Sequence, residues 1–158
     1  MQIGLKNTGV LEVEIVDFKG EPTGEKLVFD TLDIELPFKM QEMFEKHEGN
    51  IKKLKADTLL LEKKKYPASK KKSLFTQRQQ DEFKLMRDFY NKEIETMDVF
   101  LGEGGCKKML NGRKPYLTMF NDITEALEPV MKELANDTGD IVDKIKSKYQ
   151  EDEGETLE

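Results

Sequence analysis

The chain has 158 residues, of which 37% are hydrophobic and 37% charged, and its formal net charge at pH 7 is -6. The length fits one domain, and the low apolar content predicts amphipathic helices around a thin core. Net negative charge disfavours a general nucleic-acid binder, because neutralising phosphates requires a cationic surface. No apolar run approaches the roughly 20 residues of a membrane span, and no secretory signal is visible.

The segment before residue 35 is predicted to form a β-hairpin. Residues 11–18 mostly alternate apolar and acidic side chains, which indicates a half-buried strand. Gly20, Pro22 and Gly24 then form a turn cluster, and residues 27–29 make a second short strand. An isolated hairpin is marginal in water, so its apolar face must rest on the helices.

A first long helix is predicted to begin near Pro37 and to end before Pro67. Its seam steps by three and four residues through Met40, Phe44, His47, Ile51, Leu54, Thr58 and Leu61. Gly49 and Asn50 lie inside this pattern and are predicted to bend or split the helix. His47, the single histidine, has no metal-ligand or catalytic partners at recognisable spacing, so we interpret it as a partly buried, hydrogen-bonded histidine.

Residues 63–72 contain six lysines and no acid. One interpretation of this lysine-rich link is a patch that binds phosphates or the acidic surface of another protein. The alternative is a solvated helix end and loop. We favour the solvated helix end, because lysines at a helix C-terminus also complement the helix dipole.

A second helix, starting at a Thr76–Gln79 capping box, organises the chain. Its apolar stripe is Phe83, Met86, Tyr90, Ile94, Met97 and Leu101. Gly102, Glu103 and Gly104 follow as a structural turn, which differs from a phosphate loop in its glycine spacing and in its acidic residue. Cys106, the single cysteine, excludes an internal disulfide framework and suits a reducing cytoplasm.

The last third of the chain is predicted to be helical from Pro115, with Pro129 kinking or restarting the helix. Asp137 and Thr138 then cap a separate amphipathic piece. Its apolar residues are Ile141, Ile145 and Tyr149. We expect partner contacts at these three residues, because they form the least anchored apolar surface. Residues 150–158 carry five acids and no base, and are predicted to be a disordered acidic tail.

The predicted fold class is therefore α+β, mainly α, with an N-terminal β-hairpin packed on a bundle of about four helices. One domain spans 1–149, divided into a β-hairpin segment, 1–34, and a helical part, 35–149. The sequence offers no catalytic, cofactor-binding or metal-binding constellation, so we expect a non-enzymatic protein.

Three stretches resemble the tail assembly chaperone family of long-tailed bacteriophages and prophages of Gram-positive bacteria. They are the segment Phe29–Asp33 leading to Leu36–Phe38, the Leu-Gly-Glu-Gly turn at 101–104, and Lys108–Leu110 before a helix with Tyr116 and Phe120. The resemblance covers most of the chain outside the lysine-rich link and the acidic tail. Gly105-Cys106 after the turn is a local variation on the family pattern.

The resemblance implies a chaperone that binds the tape-measure protein, keeps its long apolar helices soluble and recruits tail-tube subunits in the host cytoplasm. Homo-oligomers fit a thin core that borrows stability from association. Two alternatives stay open. One is a structural phage protein, either a minor tail or a head–tail connector component. The other is a small regulatory or nucleic-acid-binding module that uses the lysine-rich link.

Overall fold

The computed structural model describes residues 1–5, 9–68 and 73–156, without the side chains of residues 141 and 149–156. Two strands and four helices follow in chain order. They are β1 (Val10–Val16), β2 (Pro22–Asp30), α1 (Leu36–Lys63), α2 (Gln77–Leu101), α3 (Gly105–Leu110) and α4 (Met119–Thr156). The fold is α+β and mainly α, with the hairpin at the N-terminus, as predicted. The division into a domain 1–149 and a tail stays a prediction.

The two strands form an antiparallel hairpin with a register shift between Glu14 and Val16. Asp17 closes the turn, since its Oδ1 accepts hydrogen bonds from the backbone N–H groups of Lys19 at 2.8 Å and Glu21 at 3.0 Å. This tight closure ends the turn at Glu21. Pro22 and Gly24, predicted to be turn residues, consequently lie in β2. Ile15, Leu27 and Phe29 are buried and form the core-facing side of the hairpin.

Helix α1 is continuous through Gly49 and Asn50, so the predicted split is wrong. The side-chain amide of Asn50 donates hydrogen bonds to Glu93 and Thr96 of α2. These bonds hold the α1 turn that contains Gly49 and Asn50 against α2. Pro37 occupies the first helical turn and α1 ends at Lys63, before Pro67, both as predicted.

Helix α2 has the predicted capping box at Thr76 and Gln79 and ends before Gly102, whose φ of +87° favours glycine. Its buried face is rotated relative to the predicted stripe. The buried residues are Phe89, Glu93, Thr96, Met97, Phe100 and Leu101. Met97 and Leu101 belong to both sets, but Phe83 is exposed. The difference arises because α2 buries two polar residues that bond to α1.

Helix α4 begins at Met119 rather than Pro115, and it runs without interruption through Pro129. Leu127 and Leu134, buried on either side of the proline, hold both halves of α4 in the core. The piece carrying Ile141, Ile145 and Tyr149 is therefore a continuation of α4 and not a separate helix. Residues 150–156, predicted to be disordered, lie within the helix bounds, where glutamates are good helix formers.

The apolar core lies at one end of the α1/α2 pair. It combines the hairpin, the first part of α1, the last part of α2, α3 and α4 up to Leu134. Within the described residues, its buried members include nothing of α1 after Met43 and nothing of α2 before Met97, although the half-buried Ile94 packs against them. The rest of the pair extends from the core as a two-helix arm, defined here as residues 50–63 of α1 and 77–90 of α2.

Candidate partner-binding surfaces

A buried polar cluster joins α1 to α2 at the base of the arm. The Glu93 side chain is only 3% exposed, and its carboxylate accepts from His47 Nδ1 at 2.6 Å and from Asn50 Nδ2 at 2.8 Å. Asn50 also donates to Thr96 Oγ1 at 2.9 Å. The Phe120 ring of α4 stacks on the imidazole with centroids 3.6 Å apart. His47 is thus a partly buried, hydrogen-bonded histidine, as predicted.

The polar groups of this cluster point at one another rather than at an open site. A buried carboxylate without partners is strongly unfavourable, so a shift of α1 along α2 would break the cluster. We interpret it as the feature that fixes the alignment of the two helices.

The turn at Gly102, Glu103 and Gly104 is held by a residue that the sequence reasoning missed. Asp98 Oδ2 accepts from the backbone N–H of Gly104 at 3.1 Å, and its Oδ1 accepts from that of Cys106 at 2.9 Å. The carboxylate therefore connects the end of α2 to the start of α3, while Glu103 is exposed. An aspartate in the last turn of a helix, where it opposes the dipole, is the sequence signal for such a contact.

Cys106 is buried beneath this turn, and its thiol contacts the Met97 sulfur at 3.9 Å. Burial, with the nearby negative charges of Asp98 and Glu93, raises the pKa of the thiol to about 12. A thiol in that state is a poor nucleophile at neutral pH. In the part of the chain that the structure describes, no group of three or more His, Cys, Asp or Glu residues is placed to hold a metal ion.

A cleft of about 300 Å³ lies between α1 and α2 on the arm. Its apolar lining comes from Leu54, Leu85 and Phe89, and charged or polar residues surround these side chains. Those residues are Asn50, Lys53, Asp57, Asp88, Asn91, Lys92 and Glu95. An apolar floor between two helices, with charges at its edges, is the form that accepts one face of an amphipathic helix.

The outer end of the arm, called here the arm tip, exposes large apolar side chains. They are Leu59, Leu60, Leu74, Phe75 and Phe83. The rings of Phe75 and Phe83 contact each other edge to face with centroids 5.1 Å apart. Exposed apolar side chains grouped in this way are typical of an interaction surface.

Hydrogen bonds to one carboxylate connect α2 to the segment that follows α1 at the arm tip. Asp81 accepts from Tyr66 Oη at 2.8 Å, Lys64 Nζ at 3.1 Å and Gln77 Nε2 at 3.0 Å. These bonds, that of Tyr66 first, lower the pKa of Asp81 below its ordinary value. Residues 70–72 of the lysine-rich link lie outside the described residues.

Of the three residues predicted to contact a partner, Ile145 is exposed on α4, with Val142 exposed nearby. The side chains of Ile141 and Tyr149 lie outside the description. The sequence alone did not indicate the cleft or the arm tip. Leu54 and Phe83 had been assigned to the buried faces of the first and second helices, and Leu85 and Phe89 to neither face.

No helix in the described ranges is both long and apolar enough to cross a membrane. Comparison of the chain with protein-family models, curated proteins and solved structures finds no match.

Proposed function

We propose that this protein is a non-enzymatic tail assembly chaperone that binds apolar helical segments of a phage tape-measure protein and recruits tail-tube subunits during tail morphogenesis. The observation that carries the proposal is the apolar cleft on the arm, formed by Leu54, Leu85 and Phe89. The resemblance of the 101–104 turn and its flanking segments to the family supports the choice of client.

The cleft suits a client that presents a stripe of apolar side chains on a helix. Its floor gains stability by removing apolar surface from water, at about 25 cal/mol per Å² buried. Charges of both signs line its edges, including Lys53, Asp88 and Lys92. Apolar contacts at the floor and adaptable charges at the edge favour binding of many related helices over recognition of a single sequence.

The test is co-expression with the tape-measure protein encoded nearby, followed by measurement of its soluble fraction and by pull-down. We expect the tape-measure protein to be soluble and co-purified with this chain and insoluble without it. Absence of binding by a demonstrably folded chain would remove the proposal. Detection of the protein in purified particles would favour the structural component instead.

Two matched variants locate the contact. Leu54→Gln with Leu85→Gln places amides in the half-buried cleft and should lower client recovery about tenfold. Leu32→Gln with Leu117→Gln makes the same chemical change at two exposed sites away from the arm and should leave recovery unchanged. Equal loss in both variants would show that the cleft is not the client site.

A further inference from the structure

The apolar side of the hairpin is covered unevenly. Leu27 and Phe29 of β2 are each only 2% exposed. Their cross-strand partners in β1, Val13 and Leu11, lie on the same side of the sheet but are only half-buried. Helices α2 and α3 contact β2, so the helical part covers that strand first. An apolar strip along the outer side of β1 therefore remains partly in water.

The outer backbone edge of β1 is open as well. In an antiparallel pair, every second residue of a strand bonds to the partner strand. The backbone N–H of Thr31, just after β2, donates to the Gly9 carbonyl at 2.6 Å, so the residues in phase with Gly9 bond to β2. Glu12 and Glu14 are in the opposite phase, and their backbone N–H and C=O groups point away from β2. No described residue bonds to these outward groups.

Residues 1–5 have the sequence pattern of a strand but belong to none in the described structure. Met1, Ile3 and Leu5 alternate with Gln2 and Gly4, a spacing that places the three apolar side chains on one side of an extended chain. Each of the three is at least 97% exposed. The segment thus carries an apolar strand face that no described residue covers.

We propose that residues 1–5 of one copy add as a third strand to the outer edge of β1 in a second copy. The backbone of the segment then pairs with the open edge, and its apolar side chains cover the half-buried Leu11 and Val13. Charge favours the same match, because residues 1–6 contain one lysine and no acid, whereas β1 contains two glutamates and no base.

The contact is reciprocal, since each copy supplies one segment and one edge. Two copies that exchange both segments close as a symmetric dimer, in which each sheet has three strands. Return of residues 1–5 onto β1 of their own chain would fill the same edge within a monomer. The molecular mass therefore distinguishes the two arrangements.

Two variants and two matched controls test the contact. The segment variant, Ile3→Asp with Leu5→Asp, alters side chains that are fully exposed in the single chain and should leave its fold intact. Its control, Leu60→Asp with Leu74→Asp, makes the same change at the arm tip, where these side chains are 67% and 90% exposed. The edge variant, Glu12→Pro, removes an outward N–H that the hairpin does not use. Its control, Glu12→Ala, keeps that N–H.

Mass is measured by light scattering after gel filtration at several protein concentrations, and amide hydrogen exchange is followed at Glu12 and Glu14. The wild-type chain and both controls should form dimers, and the segment and edge variants should dissociate at concentrations about tenfold higher or more. In concentrated wild-type protein both amides should be protected from exchange. Dilution, or the segment variant, should remove this protection.

A wild-type chain that stays monomeric at every concentration would overturn the proposal, as would dimers retained by the segment variant. Protection of Glu12 and Glu14 that persists in a monomer would assign the edge of β1 to the chain's own segment. Protection that appears only when tape-measure protein is added would assign the edge to the client. Both results would exclude the second copy. If circular dichroism shows that Glu12→Pro unfolds, the segment variant alone decides.

Discussion

Replacing Glu93 with alanine should destabilise the fold more than any other single change in the buried polar cluster. The carboxylate is the acceptor for both His47 Nδ1 and Asn50 Nδ2. After its removal, Asn50 keeps Thr96 as a partner, but the imidazole loses its hydrogen bond to α2. An unsatisfied buried donor costs about 1–3 kcal/mol, and removing one member of a buried pair costs about 3–5 kcal/mol. We expect a loss of about 3 kcal/mol.

The matched control is Glu95→Ala, two residues along the same helix. The Glu95 side chain is 74% exposed, and its carboxylate lies 3.9 Å from Lys92 Nζ. An exposed pair of this kind contributes about 0–1 kcal/mol. Urea unfolding at pH 7, followed by circular dichroism, measures both variants. With a slope of about 2 kcal/mol per molar urea, Glu93→Ala should lower the midpoint by about 1.5 M, and Glu95→Ala should lower it by less than about 0.5 M.

A double-mutant cycle with His47→Ala separates the hydrogen bond from the other contacts of each residue. The ring stacking of His47 on Phe120 is lost in both backgrounds and therefore cancels. We expect a coupling free energy above about 1 kcal/mol between the two positions. Additive losses, or a Glu93→Ala midpoint within experimental error of that for Glu95→Ala, would refute the role assigned to the cluster.

Three further predictions concern glycine, cysteine and aspartate positions. Gly105→Ala should destabilise the fold by about 1–3 kcal/mol, because a Cβ there would lie 2.5 Å from the Leu101 Cβ. Gly49→Ala, whose Cβ would have no neighbour within 4 Å, should stabilise α1 by about 0.5–1 kcal/mol. Urea midpoints of the two variants that move in the same direction would contradict this pair of predictions. Cys106 should resist a thiol reagent at pH 8 until denaturant is added, because burial holds its pKa near 12, and modification within seconds of mixing would contradict that burial. The folded-state pKa of Asp81 is lowered, so its stabilisation is present above the unfolded pKa of about 4 and is lost as pH falls. The melting temperatures of wild type and Asp81→Asn should therefore converge between pH 6 and pH 3, and a constant difference would contradict the assignment.

Local sequence signals predicted much of this fold. The Thr76–Gln79 capping box was predicted because its hydrogen bonds join residues three apart in the chain. The hairpin was similarly readable from alternation over a few residues. Such features depend on short-range chemistry that the sequence displays directly.

Features that depend on contacts between distant residues were not predicted. Periodicity treats an acid as solvent-facing, so it could not show that Glu93 is buried by partners 43 and 46 residues earlier in the chain. Gly49 and Asn50 were predicted to interrupt α1 for the same reason, because the residues that Asn50 contacts belong to α2. The arm tip was missed because exposure is a property of the assembled helices. In an isolated helical pattern, Leu60 and Phe83 look like any other apolar residues.

The position of Leu134 has a consequence for how the protein melts. Beyond this residue, no described side chain of α4 belongs to the core, and the stretch includes Gly139. Most helix stability in proteins comes from tertiary packing, and without it helix content falls gradually with temperature. Far-ultraviolet ellipticity of the single chain should therefore decline before the core unfolds cooperatively, and amide hydrogens after Leu134 should exchange far faster than those of Met97 or Phe100. The calorimetric transition would then report the core, while the early optical change would report the end of α4.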